Sequence, residues 1–256
     1  MARRAVVTGV ASGIGAETAR VLVAEGYEVI GLDRNPPTQP LARYIPIDLS
    51  DPGSIDAVAG QIDGPVHALC NVAGLPPTAG AVPTMKVNFF GLRQFTEALI
   101  PKLADGAAIV NVASLAGAGW QQNIAQVKRC LANGTLANAE TLVSQEGIGD
   151  DRCYFVSKEC LIVWTLASWS RWRDRGIRMN VVSPGPVLTP IHADFLATLG
   201  ERASQDAERV ERPARPDEIA PVIAFLCSDA SRWVRAANIA VDTGLFAAAL
   251  QEEFGF

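Results

Sequence analysis

Apolar positions along the chain fall into short unbroken runs separated by longer stretches of helical spacing. That is the pattern of strands buried on both faces and of helices that cover them. Residues 5–8, 28–32, 44–47, 66–70, 107–112, 178–182 and 239–241 read as strands. Helices are expected over 16–24, about 52–62, 85–103, 153–174 and 216–226. Gly26 stops the first of these, and Pro52 suits the opening turn of the second. Strands alternating with helices predict an α/β fold around a mostly parallel sheet of about seven strands.

Two stretches depart from this alternation. From about 117 to 151, Ile124, Val127, Leu131, Leu136, Leu142 and Val143 predict two short helices parted by Asn133-Gly134 and followed by Gly147 and Gly149. This insertion would cover substrate or block an interface. From about 190 to 212, a segment with Phe195, Leu196 and Leu199 reads as a lid, with His192 at its start and on the surface. No linker rich in Pro, Gly and Ser divides the chain, so residues 1–256 are expected to form one domain.

Composition narrows the setting. With 49% hydrophobic and 19% charged residues among 256, the chain has the makings of a large core, and a net charge of −5 argues against nucleic acid or an anionic membrane as partner. No apolar run reaches the length of a membrane span, and the N-terminal apolar stretch is too short for a signal peptide. The five cysteines lack metal-ligand spacing, and a reduced cytoplasmic setting is expected. His67 lies inside an apolar run and reads as a packed core residue.

The chemistry concentrates at the ends of the strands. The first strand runs into Gly9, Gly13 and Gly15, and a helix follows at once. Glycines there let a backbone approach a pyrophosphate, which the helix N-terminus stabilises. Asp33, about 20 residues on, suits the hydroxyls of an adenosine ribose and would repel a 2′-phosphate, which favours NAD over NADP; Arg34 softens that preference. The spacing is TGxxxGxG rather than GxGxxG. Asn71 and Ser114 follow the fourth and fifth strands, where parallel sheets bind ligands. Tyr154 and Lys158 stand four apart on an expected helix, so they share a face. A phenol keeps its proton to pH ~10, and an ammonium beside it favours the phenolate. Reaching neutrality needs roughly 4 kcal/mol, more than one exposed charge supplies, so a second cation is expected.

Taken in order, Thr8-Gly-Val-Ala-Ser-Gly-Ile-Gly15, Asp48-Leu49, Asn71-Val-Ala-Gly74, Val87-Asn88, Asn111-Val-Ala-Ser114, Tyr154-x-x-x-Lys158 and Pro184-Gly-Pro-Val-Leu-Thr189 resemble the short-chain dehydrogenase/reductase family over essentially the whole chain. The resemblance implies a Rossmann-like, doubly wound sheet with helices on both faces and a helical insertion before the Tyr. It implies Tyr154 as acid–base, Ser114 on the substrate oxygen, Lys158 on the nicotinamide ribose and Asn88 anchoring a proton-relay water. Asp33 and Arg34 would meet the adenosine ribose, Asp48 and Leu49 the adenine, and Val187 and Thr189 the carboxamide. Ser12, Ile14, Asn71, Ala73, Gly74, Pro184 and Gly185 would complete the dinucleotide site. The long interval between Ser114 and Tyr154 resembles the subgroup of bacterial 3α-hydroxysteroid dehydrogenases/carbonyl reductases and coniferyl-alcohol dehydrogenases. Val241-Asp-Thr243-Gly departs from the two glycines usual in the family.

The resulting expectation is an NAD(H)-dependent oxidoreductase, homodimeric or homotetrameric. It would interconvert a hydroxyl and a carbonyl on a hydrophobic ring-bearing substrate, in a pocket walled by Trp120, the insertion and the lid. A sensor that binds NAD without turnover is the competing reading.

Overall fold

The computed structural model describes residues 2–197 and 209–255. Seven parallel strands form one sheet in the order β3-β2-β1-β4-β5-β6-β7. They are β1 Arg4–Thr8, β2 Glu28–Asp33, β3 Arg43–Pro46, β4 Val66–Asn71, β5 Leu103–Val112, β6 Arg178–Pro184 and β7 Asn238–Val241. The helices are α1 Gly13–Ala24, α2 Pro52–Gln61, α3 Ala81–Met85, α4 Leu92–Leu99, α5 Ile124–Asn133, α6 Ala139–Gln145, α7 Cys153–Ala167, α8 Pro216–Cys227 and α9 Leu245–Phe254.

Strand alternation sends neighbouring residues into two separate cores. Val6, Leu69 and Ile109 meet α2, α4 and α7 on one face. Ala5, Val7, Cys70 and Val110 meet α1 and α8 on the other. Both faces are therefore covered by helices, which is why the strands are apolar throughout. Chain order reverses between β1 and β4, and a crevice opens there beyond the carboxyl ends of the strands.

Several boundaries differ from the sequence reading. The helix expected over 85–103 is α3, a π-helical turn Lys86–Gly91, α4 and a 3-10 turn Ile100–Lys102. The wide turn brings Gly91 against the backbone of the Asp48–Leu49 loop, where a Cβ would run into the Leu49 carbonyl. Strand β5 starts at Leu103, four residues early, because it pairs with Val66 before the register shifts around Gly106. Helix α7 stops at Ala167, and the chain then turns through Trp172 at φ 95 and Gly176 at φ 68.

Between Ser114 and Tyr154 lie a 3-10 turn Leu115–Gln121, α5 and α6. Glu159 of α7, almost fully buried, accepts hydrogen bonds from Asn123 Nδ2 at 3.0 Å and Arg152 Nη2 at 3.2 Å, which clasps this segment to α7. His67 is half-buried, its Nδ1 accepting from the Arg4 N–H at 3.1 Å. All five cysteines are buried and unbridged, with the Cys70 and Cys227 sulfurs 3.5 Å apart. Of the expected lid, residues 198–208, including Leu199, lie outside the described residues. Among the described residues no helix is long and apolar enough to cross a membrane.

Candidate active site

The crevice is a cleft of about 460 Å³. Its floor is the junction of β1 and β4. Thr8 Oγ1 accepts from the Val72 N–H at 2.9 Å and the Ala73 N–H at 3.0 Å, and Gly9, at φ +80, passes so close to Ala73 that a Cβ would sit 2.9 Å from its backbone. Gly13, Ile14 and Gly15 then open α1 along the cleft, and the Ser12 side chain does not cap them. The first-turn N–H groups therefore remain directed at whatever lies there.

At one end stands Asp33, closing β2. Its Oδ2 accepts from the Ala11 N–H and its Oδ1 from the Asn35 N–H, each at 3.0 Å, which fixes the carboxylate at the cleft edge. Asp48 lies beyond, its carboxyl held below the ordinary range by the Ser50 hydroxyl and N–H and, more weakly, by the Arg34 guanidinium. Arg34 and Leu49 line the same end.

At the other end α7 presents Tyr154 and Lys158 together, 8% and 4% exposed. Lys158 Nζ donates to the Val112 carbonyl at 3.0 Å and lies 5.5 Å from the centre of the Tyr154 ring. Ser114 caps the 3-10 turn by accepting from the Ala116 N–H at 3.1 Å, and its hydroxyl lies near enough to the Tyr154 phenol to favour the phenolate. Burial pushes Tyr154 up to about 12, against which the Ser114 hydroxyl is a minor pull downward. Burial also pushes Lys158 down to about 8. The lysine alone thus does not acidify the phenol, because desolvation of both groups outweighs their attraction.

Most of the residues expected at the site line this one cleft. They include Gly9 and Ser12–Gly15, then Asp33, Arg34, Asp48 and Leu49, then Ala73, Gly74 and Ser114, and finally Tyr154, Lys158, Pro184, Gly185, Val187 and Thr189. Asn71 and Asn88 do not. Asn71 is interior, its Nδ2 donating at 2.8 Å to both Thr96 Oγ1 and Asn111 Oδ1, because β4 and β5 pair Asn71 with Asn111 in register. Asn111 Nδ2 in turn donates to Thr165 Oγ1 at 3.0 Å. Asn88, buried in the π turn, holds the backbone of Leu75 through its Oδ1 at 2.7 Å and its Nδ2 at 3.0 Å. Trp120 packs against the core, and no residue of 117–151 lines the cleft. Helix α5 and its neighbours cover α7 from behind instead. Phe155 and His192 do line it, although the sequence reading passed over the first and placed the second on the surface. Phe155 follows directly on Tyr154, the one signal that pointed to it.

These groups fit a nicotinamide dinucleotide. Lys158 has three ammonium protons and one acceptor in the protein, the first turn of α1 is uncapped, and Gly74 keeps the wall thin, since a Cβ there would sit 3.6 Å from Lys158 Nζ. A sequence profile described as short chain dehydrogenase matches residues 3–128, and one described as enoyl-(acyl carrier protein) reductase matches 121–246. The chain is 43% identical to coniferyl-alcohol dehydrogenase of Pseudomonas sp. (strain HR199 / DSM 7063), over 95% of this chain and 96% of that protein. The chain belongs to the short-chain dehydrogenase/reductase family. Like other short-chain dehydrogenases/reductases, it is an oxidoreductase acting on alcohols with a nicotinamide dinucleotide.

Another relative in the family, 31% identical over 97% of this chain and 98% of its own length, is 3-alpha-hydroxysteroid dehydrogenase/carbonyl reductase of Comamonas testosteroni. The crystal structure of 3-alpha-hydroxysteroid dehydrogenase from Pseudomonas sp. B-0831 complexed with NADH superposes with a TM-score of 0.81 at 30% identity, over 99% of this chain and all of that one.

Proposed function

We propose that this short-chain dehydrogenase/reductase interconverts a ring-bearing alcohol and its carbonyl compound with NAD(H) in preference to NADP(H), coniferyl alcohol being a closer guide than a steroid. The observation that carries this reading is the convergence of Ser114, Tyr154 and Lys158 at one end of a cleft that has Asp33 at the other. In this reading α1 holds the pyrophosphate, Asp33 the adenosine ribose, Lys158 the second ribose, and the Pro184–Thr189 stretch the nicotinamide end. The bound dinucleotide supplies the hydride donor or acceptor and, when oxidised, a positive charge.

Tyr154, held protonated by burial, is ready to give its proton to a carbonyl oxygen. In the reverse direction it must accept the alcohol proton as phenolate. Moving a phenol from about 12 to 7 requires about 7 kcal/mol, from 5 units at ~1.4 each. The Lys158 ammonium contributes part of this in a low-dielectric setting, and the Ser114 hydroxyl steadies charge on the oxygen atoms. Asn88 acts behind the site by fixing Leu75, and a relay water would have to reach Lys158 past the Gly74 backbone.

NAD is preferred because the Asp33 carboxylate repels a 2′-phosphate, while the Arg34 charge lies near enough to Asp48 to help hold that carboxyl below its ordinary range. The 43% identity to a coniferyl-alcohol dehydrogenase favours an aryl alcohol over the steroid of the 31% relative. Exposed Phe225, Trp233 and Phe254 favour a homodimer or homotetramer, which light scattering would measure. The direct test is NADH formation from coniferyl alcohol and from androsterone, each with NAD and NADP. Tyr154→Phe should lower turnover at least ~10³-fold with NADH affinity unchanged. Equal loss of both would overturn the assignment of Tyr154.

A further inference from the structure

The substrate end of the cleft is apolar, walled by Leu75, Pro76, Phe155, Ile191, Phe195 and Leu196. One side chain there belongs neither to that wall nor to the catalytic and dinucleotide groups: His192. Its backbone N–H donates to the Thr189 carbonyl at 2.9 Å, and residues 192–197 then turn as a helix. Phe195, three residues on, packs its ring edgewise on Tyr154 with centroids 4.8 Å apart and planes at 67°. Positions three apart share a helix face, so His192 stands on the Tyr154 side of this segment, about one 5.4 Å turn from Phe195. Asp194, on another face, accepts from Thr78 Oγ1 at 2.9 Å and ties the segment across to the loop after β4. The His192 imidazole is half-buried and has no hydrogen-bond partner among the described residues. A neutral imidazole offers one donor and one acceptor, and both are open here to a group on a ligand that displaces solvent from this end of the cleft.

We propose that His192 determines specificity by hydrogen-bonding a hydroxyl on the far end of a flat aryl alcohol, so that the enzyme selects para-hydroxylated arylpropenyl alcohols over analogues without that hydroxyl. The inference rests on the alcohol-oxidising reading above and names the substrate class for that site. Phe155 and Phe195 line the same end of the cleft and offer apolar surface to an aryl ring, and the His192 imidazole supplies a polar contact for a substituent on it. A site built to hydrogen-bond a hydroxyl rejects the analogue that lacks it, because its own polar group is then left unpaired.

The experiment compares kcat/KM for 4-hydroxycinnamyl alcohol and cinnamyl alcohol, which differ by that one hydroxyl, using the full chain and NAD. The unsubstituted enzyme should favour the hydroxylated substrate by at least about tenfold. His192→Phe should bring the ratio close to one, and His192→Gln, which can still donate and accept, should retain part of it. The ratio is internal to each protein, so a general loss of activity does not enter it. If His192→Phe is inactive, His192→Leu, which can neither donate nor accept, decides, an undiminished ratio in it counting against the proposal. A ratio near one in the unsubstituted enzyme, or an undiminished ratio in His192→Phe, overturns the role of His192 and leaves alcohol oxidation standing. Turnover of neither alcohol overturns both the role of His192 and the aryl-alcohol reading on which it rests.

Discussion

Replacing Lys158 by Met removes a buried charge while keeping an unbranched chain of similar length. Burial brings the Lys158 ammonium from its ordinary 10.5 down to about 8, which at ~1.4 kcal/mol for each tenfold change in proton affinity is a cost of about 3.5 kcal/mol. Below pH 8 the amine is charged whether the chain is folded or unfolded, and the folded state carries the full penalty. Between 8 and 10.5 the unfolded chain holds a proton that the folded chain has released, so stability rises with pH across that window. At pH 10 the residual penalty is about 1 kcal/mol. Against this, Met leaves the Val112 carbonyl without its donor, at about 1 kcal/mol. Lys158→Met should therefore stabilise the dinucleotide-free protein by about 2.5 kcal/mol at pH 7 and leave it nearly unchanged at pH 10, while turnover falls at least ~10²-fold. The raised Tyr154 acts in the other direction. Its preference for the neutral phenol is lost only as pH rises from 10 through about 12, in both proteins alike. Urea unfolding at pH 7 and pH 10 reads the difference. A variant less stable at pH 7, or an equal gap at both pH values, would refute the argument that burial of the amine dominates here.

Asp33→Ser should lower kcat/KM with NAD at least about tenfold and narrow the preference over NADP, which steady-state kinetics with both dinucleotides would register. An unaltered preference would mean that another group reads the ribose. Thr243 is held at φ +54, a region that costs a β-branched residue about 1–2 kcal/mol. Thr243→Gly should relieve more than its added chain freedom removes, with a net gain of about 0.5 kcal/mol and a melting rise of roughly 1–2 °C. A fall in melting temperature would show that the hydroxyl of Thr243 is the more valuable feature. Trp120→Phe should leave KM for coniferyl alcohol within about twofold, because no part of 117–151 lines the cleft. A tenfold rise would place the insertion over the substrate.

The parts of the site set by local spacing could be read from the chain. Gly9 and Gly13 take positive φ where a turn needs it, Asp33 closes β2, and Tyr154 and Lys158 share a helix face. Residues whose role depends on tertiary neighbours could not be read. Asn71 follows a strand, like a ligand contact, yet its partner is Asn111 across the ladder, and only the β4–β5 register reveals that. Asn88 sits in a π turn that apolar spacing does not announce, because Val87, Phe89 and Phe90 keep the helix-like pattern going. Asp105-Gly106 looks like a turn and hid the start of β5, and nothing between Ala167 and Gly176 signals that α7 has ended. His192 looked like a surface residue because the proline-rich stretch Pro184–Pro190 precedes it. Its orientation follows from the short helix that carries Phe195 onto Tyr154.

The run of side chains Thr96–Asn71–Asn111–Thr165 crosses the interior beneath the cleft, with each hydroxyl also returning to its own helix, Thr96 to the Leu92 carbonyl and Thr165 to the Leu161 carbonyl. Four elements are thereby cross-wired through neutral amides and hydroxyls, independently of the oily contacts around them. Such wiring does not degrade by degrees. Exchange of one member for an aliphatic residue strands its neighbours in a dry interior, so drift at these four positions has to proceed in concert. The floor on which the reacting groups rest is thus rigid by interlock, while the wall that faces substrate is free to vary one residue at a time.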